Sequence, residues 1–153
     1  MRLDQELVRR IAVLEKQFDD LVKPERGWSP HFLTTPYTNA DFNGDSFSDV
    51  GANTKIENTS WSTTIPATAK ALLVYGYVRD SGSAGATGLF FALYPAAGAT
   101  QAALNWTISG RPNDDYQAES GVVPCTDGDI WYQCDASGAN TMDVYLFCWG
   151  WWE

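Results

Sequence analysis

Basic side chains are scarce in most of this chain. Six of the ten lysines and arginines lie within residues 1–26, where six acidic residues balance them. The other four stand against thirteen acidic residues, so residues 27–153 carry the whole formal net charge of −9. A field of this sign repels phosphate backbones and anionic lipid. Nucleic acid is therefore excluded as an expected partner.

Cysteines and long apolar runs are also few. The three cysteines, Cys125, Cys134 and Cys148, form no CxxC pair and describe no disulfide framework. The longest apolar runs, such as residues 71–78, fall short of the roughly 18 residues needed to span a bilayer. Charge begins at Arg2 with no apolar segment before a cleavage site, which predicts no signal peptide. We expect a soluble protein made in a reducing cytoplasm, without membrane insertion.

The motifs of common catalytic sites are missing from the sequence. It contains no GxSxG, HExxH, Gly-rich phosphate loop or Cys/His dyad spacing. The only histidine, His31, has no partner motif and is predicted to be a surface or packing residue. Asp114/Asp115 and Asp127/Asp129 fall in turn sequences, where aspartate is favoured for its backbone hydrogen bonds. We predict no enzyme, and keep a glycan-cleaving enzyme as the least favoured alternative, because paired carboxylates need a cleft between them.

What the sequence does contain begins with the pattern of a coiled-coil helix. Neither glycine nor proline occurs between Met1 and Val22, and apolar residues recur at spacings of four, three, four and three. These seam residues are Leu7, Ile11, Leu14, Phe18 and Leu21. Val8 widens the stripe, which favours three or more strands. We predict that residues 1–23 form a parallel oligomerisation helix in a homotrimer; the alternative is an amphipathic helix packed on its own head.

Strand and turn signals follow this helix. Lys23-Pro24 ends it, and residues 24–40, stiffened by Pro30 and Pro36, are predicted to be a linker. Residues 41–153 are predicted to be the head domain. Its candidate strands lie near 47–57, 60–66, 70–79, 88–95, 102–109, 116–124, 129–135 and 141–151. Eight strands at this spacing predict a mainly β fold, an antiparallel jelly-roll-like β-sandwich.

The last two candidate strands predict a hairpin around residues 136–140. In this pairing Cys134 faces Met142, Tyr132 faces Val144 and Ile130 faces Leu146, and together with Cys148 they form a core face. The opposite face is also apolar, and a strand apolar on both faces is covered on both. A second subunit is the predicted cover. The alternative is a carbohydrate-binding module in which exposed aromatics stack on sugar rings. Its candidate residues are Trp131, Tyr145, Trp149 and Trp151.

An acidic stretch offers a candidate metal site. The sequence DFNGDSFSDV, residues 41–50, resembles the calcium loop of FG-GAP repeats, although Ser46 stands where those loops carry glycine. The resemblance implies ligands at Asp41, Asn43, Asp45 and Asp49, because calcium takes six to eight oxygens from alternate residues of a tight loop. The other interpretation is an Asn-Gly turn flanked by solvated acids.

The order of segments in the chain resembles that of small phage virion proteins of the tail-fibre or head-fibre kind. The stretches that carry the likeness are residues 41–57, 64–85, 110–125 and 128–153. The resemblance implies a homotrimeric, non-catalytic protein of the virion, anchored by its stalk to the larger particle, with its head facing the host surface or a cell-surface glycan. Loops are the favoured places for receptor contacts, and the candidates are Asp80–Thr87 and Arg111–Tyr116.

Overall fold

The structure is a computed structural model that describes residues 29–153, apart from the side chain of Asp45. The predicted helix lies outside the described residues, and so do its seam residues Leu7, Ile11, Leu14, Phe18 and Leu21. The coiled coil therefore stays a prediction. Within residues 29–153, no helix is long and apolar enough to cross a membrane.

In the described part of the chain, eight strands form two antiparallel sheets. Their bounds are β1 Pro30–Phe47, β2 Val50–Ile56, β3 Ala71–Asp80, β4 Phe90–Tyr94, β5 Leu104–Thr107, β6 Gln117–Pro124, β7 Ile130–Asp135 and β8 Met142–Trp152. The first sheet has the order β1-β8-β3-β6 and the second the order β2-β7-β4-β5. One cluster of buried apolar side chains draws on both sheets, so they pack as a β-sandwich. The prediction of a mainly β head is confirmed.

The alternation of side chains in the strands explains this burial. In β8, Met142, Val144, Leu146 and Cys148 are fully buried, while the residues between them are half-buried or exposed. Strand side chains point alternately to the two faces of a sheet, so one set enters the core and the other faces outward. Seven of the eight predicted strands match β2 to β8 within a few residues.

The stretch predicted to be a linker is largely a strand, because residues 30–40 belong to β1. Pro30 and Pro36 argued against a strand, but β1 is an edge strand of the first sheet, where proline is tolerated. The pairing of β1 with β8 shifts three times, which accommodates the irregular sequence. The head therefore includes residues from 30 onward, and not only from 41.

The predicted strand at 60–66 is instead an irregular connection between β2 and β3. Trp61 makes only an isolated bridge to Asn39. Trp61 and Ile65 are nevertheless buried in the core. The apolar pattern there reflects burial without strand pairing.

The predicted hairpin of the last two strands is wrong. β7 pairs with β2 and β4, whereas β8 pairs with β1 and β3, so residues 136–140 cross from one sheet to the other. The predicted core face is still buried, because Cys134 and Met142 reach the same core from opposing sheets. Tyr132 packs partly buried against it.

The three cysteines have free thiols, as the sequence predicted. Cys134 and Cys148 are buried, and Cys125 is half-buried. Burial raises the pKa of each thiol to about 11. The thiols therefore stay protonated at neutral pH and serve as small apolar groups.

Gly150 permits the close approach of the neighbouring strands β1 and β8. The register of β8 against β3 shifts between Cys148 and Gly150, and the φ of Gly150 is 156°. A Cβ at this position would overlap the carbonyl oxygen of His31, which is backbone and cannot swing aside. Beyond the shift, Trp151 packs against the core.

We expect Gly150→Ala to lower the free energy of unfolding by about 2 kcal/mol or more, because the new methyl group forces β1 and β8 apart. Urea unfolding followed by tryptophan fluorescence measures the change. Gly51→Ala is the matched control, since no heavy atom lies within 4 Å of a Cβ built there. Equal midpoints for the two variants would contradict the prediction.

Candidate functional site

The outward side of the first sheet carries a continuous cluster of rings, here called the aromatic face: Tyr75, Tyr77, Tyr116, Tyr145 and Phe147. The register of β3 against β8 pairs Tyr77 with Tyr145 and Tyr75 with Phe147, which places all four on one side of the sheet. The centroid of the Tyr77 ring lies 4.5 Å from that of Tyr145, 5.3 Å from that of Tyr116 and 5.9 Å from that of Phe147. The rings therefore form one patch with Tyr77 at its centre.

Much of this patch faces solvent. Tyr116 is 43 % exposed, and two further apolar side chains, Val122 and Trp149, are 46 % and 38 % exposed. Val122 pairs with Leu73 of β3, and Trp149 follows Phe147 by two residues on β8, so both extend the outward side of the first sheet. Single exposed apolar residues are ordinary, but a contiguous patch marks an interaction surface.

The charged groups within the aromatic face neutralise each other. Arg79 Nη2 lies 2.7 Å from Asp143 Oδ2, and the guanidinium stands 5.0 Å from the centre of the Tyr116 ring. Hydrogen bonding to Asp143 raises the pKa of Arg79. Burial, with the neighbouring phenols, raises the pKa of Tyr77. The Arg79–Asp143 pair thus adds no net charge to the uncharged rings, although residues 27–153 carry a formal −9.

The four aromatics predicted to bind a ligand do not share one surface. Tyr145 belongs to the aromatic face and Trp149 adjoins it, whereas Trp131 lies on β7 of the second sheet. Trp151 packs against the core and stacks on His31, with ring centroids 5.4 Å apart. His31 is thus an exposed residue that packs on Trp151, in line with the prediction of a surface or packing residue, and its Nε2 lies 3.3 Å from Glu153 Oε2.

Two members of the aromatic face, Tyr75 and Tyr77, were missed by sequence reasoning, whereas Tyr116 was singled out as the end of a candidate receptor loop. The signal for the two missed residues was present, because Tyr75 and Tyr77 alternate with the buried Val74 and Val78. Such alternation predicts an outward aromatic pair on one strand. It says nothing of the neighbouring strand that supplies Tyr145 and Phe147.

The stretch predicted to bind calcium is mostly extended. Asp41 and Asn43 lie within β1, where alternate residues are spread along a strand instead of curling round an ion. Asp49 Oδ1 accepts a hydrogen bond of 2.7 Å from the backbone N–H of Ala136. The side chain of Asp45 lies outside the described residues. Among the described residues, no three His, Cys, Asp or Glu side chains are grouped to hold a metal ion.

The paired acids stand in turns and serve the fold. Asp114 and Asp127 have φ values of 62° and 56°, typical of turn residues that tolerate the left-handed region. Asp129 Oδ1 accepts a hydrogen bond of 2.8 Å from the N–H of Asn58. Asp115 pairs with Arg111 at 2.9 Å.

The two loops predicted to contact a receptor lie against each other. The hydroxyl of the buried Ser83 lies within 3.2 Å of the carbonyl oxygens of Asp80, Arg111 and Pro112. The N–H of Asp114 donates to the carbonyl oxygen of Asp80 at 3.0 Å. One end of the sandwich therefore presents both loops as a single unit.

Asp80 joins a third connection to this unit. Its buried carboxylate accepts hydrogen bonds from the N–H groups of Gly82 and Ser137, at 2.7 and 3.0 Å, and from the hydroxyls of Ser137 and Thr141. Burial by itself would raise the pKa of Asp80, but the bonds from Ser137, Gly82 and Thr141 outweigh it, and the pKa lies below its usual value. The charged carboxylate thus holds residues 81–83 and 136–141 together.

No family model matches the chain, and no curated protein matches it in sequence.

We expect Asp80→Asn to lower the free energy of unfolding near neutral pH by about 1.5–3 kcal/mol, because an amide replaces a charged acceptor of several hydrogen bonds. The lowered pKa means that Asp80 stabilises the fold above its unfolded pKa, and this contribution is lost as the pH falls through the folded pKa. The difference between variant and parent should therefore shrink below about pH 4. Urea unfolding at neutral and acid pH measures it. The exposed turn variant Asp127→Asn is the control; an equal loss in both variants would disprove the role of Asp80.

Proposed function

We propose that this chain is a non-catalytic structural or attachment protein of a virion, assembled as a homotrimer through its aromatic face and its predicted N-terminal coiled coil. The strand orders of the two sheets support a jelly roll, in which two Greek keys close into one sandwich. Viral capsid domains use this architecture among others. Because a fold alone does not define a function, the proposal depends on the surface that the fold presents.

The observation that carries the proposal is the uncharged aromatic face on an acidic head. Copies of a body with a formal charge of −9 repel one another wherever their acidic surfaces approach. At the aromatic face the Arg79–Asp143 pair cancels its own charge, and the rings offer apolar area. A second copy meets the least repulsion and gains the most burial at this surface.

The size of the face indicates that it does not assemble the protein unaided. An aromatic side chain buries roughly 150–250 Å² when fully covered, so five half-covered rings with Val122 and Trp149 leave on the order of 500 Å². A stable interface buries about 800 Å² on each partner. The coiled coil predicted for residues 1–23 would supply the remainder.

Trimerisation has a direct consequence for attachment. Three heads on one stalk hold three copies of any binding site at fixed spacing. Once one site is occupied, the others bind at a raised effective concentration, so weak sites act together with high avidity. An attachment protein gains this without any single tight site.

We expect Tyr75→Asp to weaken the assembly at least tenfold, because each copy places an unpaired charge within the apolar interface. Sedimentation equilibrium of the full chain at micromolar concentration measures the effect, and circular dichroism checks the fold. Trp131→Asp, an equally half-buried ring on the outward side of the other sheet, is the matched control. Unchanged assembly of Tyr75→Asp, or a parent protein that sediments as a monomer, would refute the proposal.

The coiled coil is tested separately. Leu14→Asp puts a charge in the middle of the predicted seam and should weaken assembly without changing the unfolding of the head. Gln5→Asp makes the same charge change off the seam and should leave assembly unaltered. Equal sedimentation of the two variants would assign the whole interface to the head.

A further inference from the structure

A depression of about 250 Å³ opens on the outward side of the second sheet, away from the aromatic face. The residues that line it are Asp49, Val50, Gly51, Phe90, Gln133, Cys134 and Asp135. Neither the predicted aromatics nor the aromatic face contribute to it. It is a separate site that the proposed assembly leaves unused.

The depression arises from an irregularity in β2, an edge strand of the second sheet. Val50 pairs with Cys134 and Thr54 with Tyr132, so three residues of β2 lie opposite the single residue Gln133. On the other side, β4 pairs Phe90 with Asp135. β2 and β4 thus flank β7. Gly51 has no side chain, and no heavy atom lies within 4 Å of its Cβ position, so the space beside it is open.

The polar groups around the depression have unused hydrogen-bonding capacity. Asp49 uses Oδ1 to accept from the N–H of Ala136, and among the described residues its Oδ2 has no partner. Gln133 Oε1 accepts from the Tyr94 hydroxyl at 3.1 Å, which leaves its amide N–H groups as donors. The Asp135 carboxylate accepts no hydrogen bond from the part of the chain that the structure describes.

We propose that this depression binds one neutral pyranose ring of a glycan. The Phe90 ring offers an apolar surface for the C–H face of the sugar, while Asp49 and Asp135 accept from hydroxyls and Gln133 donates to one. The volume lies just below the roughly 300–1,000 Å³ of sites for drug-sized ligands, which suits a single ring.

The negative charge around the depression determines which sugars we expect to bind. Two carboxylates on an acidic head repel uronic acids, sialic acids and phosphorylated sugars. Neutral hexoses carry hydroxyl donors for both carboxylates without such repulsion. This proposal deepens the attachment role proposed above by naming the class of ligand, but binding by one head does not require the trimer.

Saturation-transfer NMR on the full chain tests the site, with glucose, galactose and mannose as probes and glucuronic acid as their anionic counterpart. We expect at least one neutral hexose to bind with a millimolar Kd, and glucuronic acid to bind at least tenfold more weakly. Binding of no hexose, or equal binding of glucuronic acid, would overturn the proposal.

Two variants locate the binding. Gly51→Trp fills the depression from its open rim, and Asp135→Asn removes one acceptor charge with little risk to the fold. We expect at least a tenfold loss of hexose affinity in the first and a several-fold loss in the second. Gly98→Trp, at another open glycine outside the depression and outside both candidate receptor loops, is the control and should bind as the parent does.

Hexose binding that survives in both variants would refute the site. Calorimetric titration with calcium in the absence of sugar checks the other ligand that two carboxylates could attract, and calcium binding abolished by Asp135→Asn without hexose binding would also refute it. Sedimentation of the same variants separates the failure of hexose binding from the failure of the assembly proposal. A trimer that binds no hexose would refute only the glycan site.

Discussion

The contact between Trp106 and Gly76 joins the two sheets and fixes which side chains of β3 face the core. Trp106, on β5 of the second sheet, is fully buried and donates from Nε1 to the carbonyl oxygen of Gly76 on β3 at 3.2 Å. A Cβ on residue 76 would lie 2.8 Å from both the Leu146 side chain and the Tyr145 carbonyl oxygen, so glycine is required. With residue 76 facing inward, Tyr75 and Tyr77 must face outward. A slip by one residue would bury the tyrosines and expose Val74 and Val78.

The outward-facing side chains give the two sheets surfaces of different chemistry. The first sheet presents stacked rings with a self-neutralising ion pair, which suits contact with another acidic copy. The second sheet presents a small depression with two carboxylates and an amide, which suits a hydroxylated ligand. Because the two surfaces lie on opposite sides of the sandwich, the assembly proposed for the first leaves the second open.

The loops at one end of the sandwich depend on a buried charge. Asp80 ends β3 and ties residues 81–83 to the connection between β7 and β8. Asp49, which lines the depression, accepts from Ala136, one residue before Ser137 of the Asp80 network. The connection between β7 and β8 therefore contacts both the depression and the loop after β3. A change in this connection would alter the geometry of the candidate ligand site.

The sequence by itself determined the mainly β fold, seven of the eight strands, the buried side of β8 and the free state of the thiols. These follow from the period of two and from turn residues, which are local properties. Only the tertiary structure decided that β7 and β8 belong to different sheets, that residues 30–40 form an edge strand, and that Trp131 and Tyr145 face opposite ways. The physical reason is that alternation specifies which side of a strand is buried, while an adjacent strand and an opposing sheet offer the same apolar cover. The aromatic face shows the same limit, because Tyr77 and Tyr145 lie 68 residues apart in sequence and meet only through the pairing of β3 with β8.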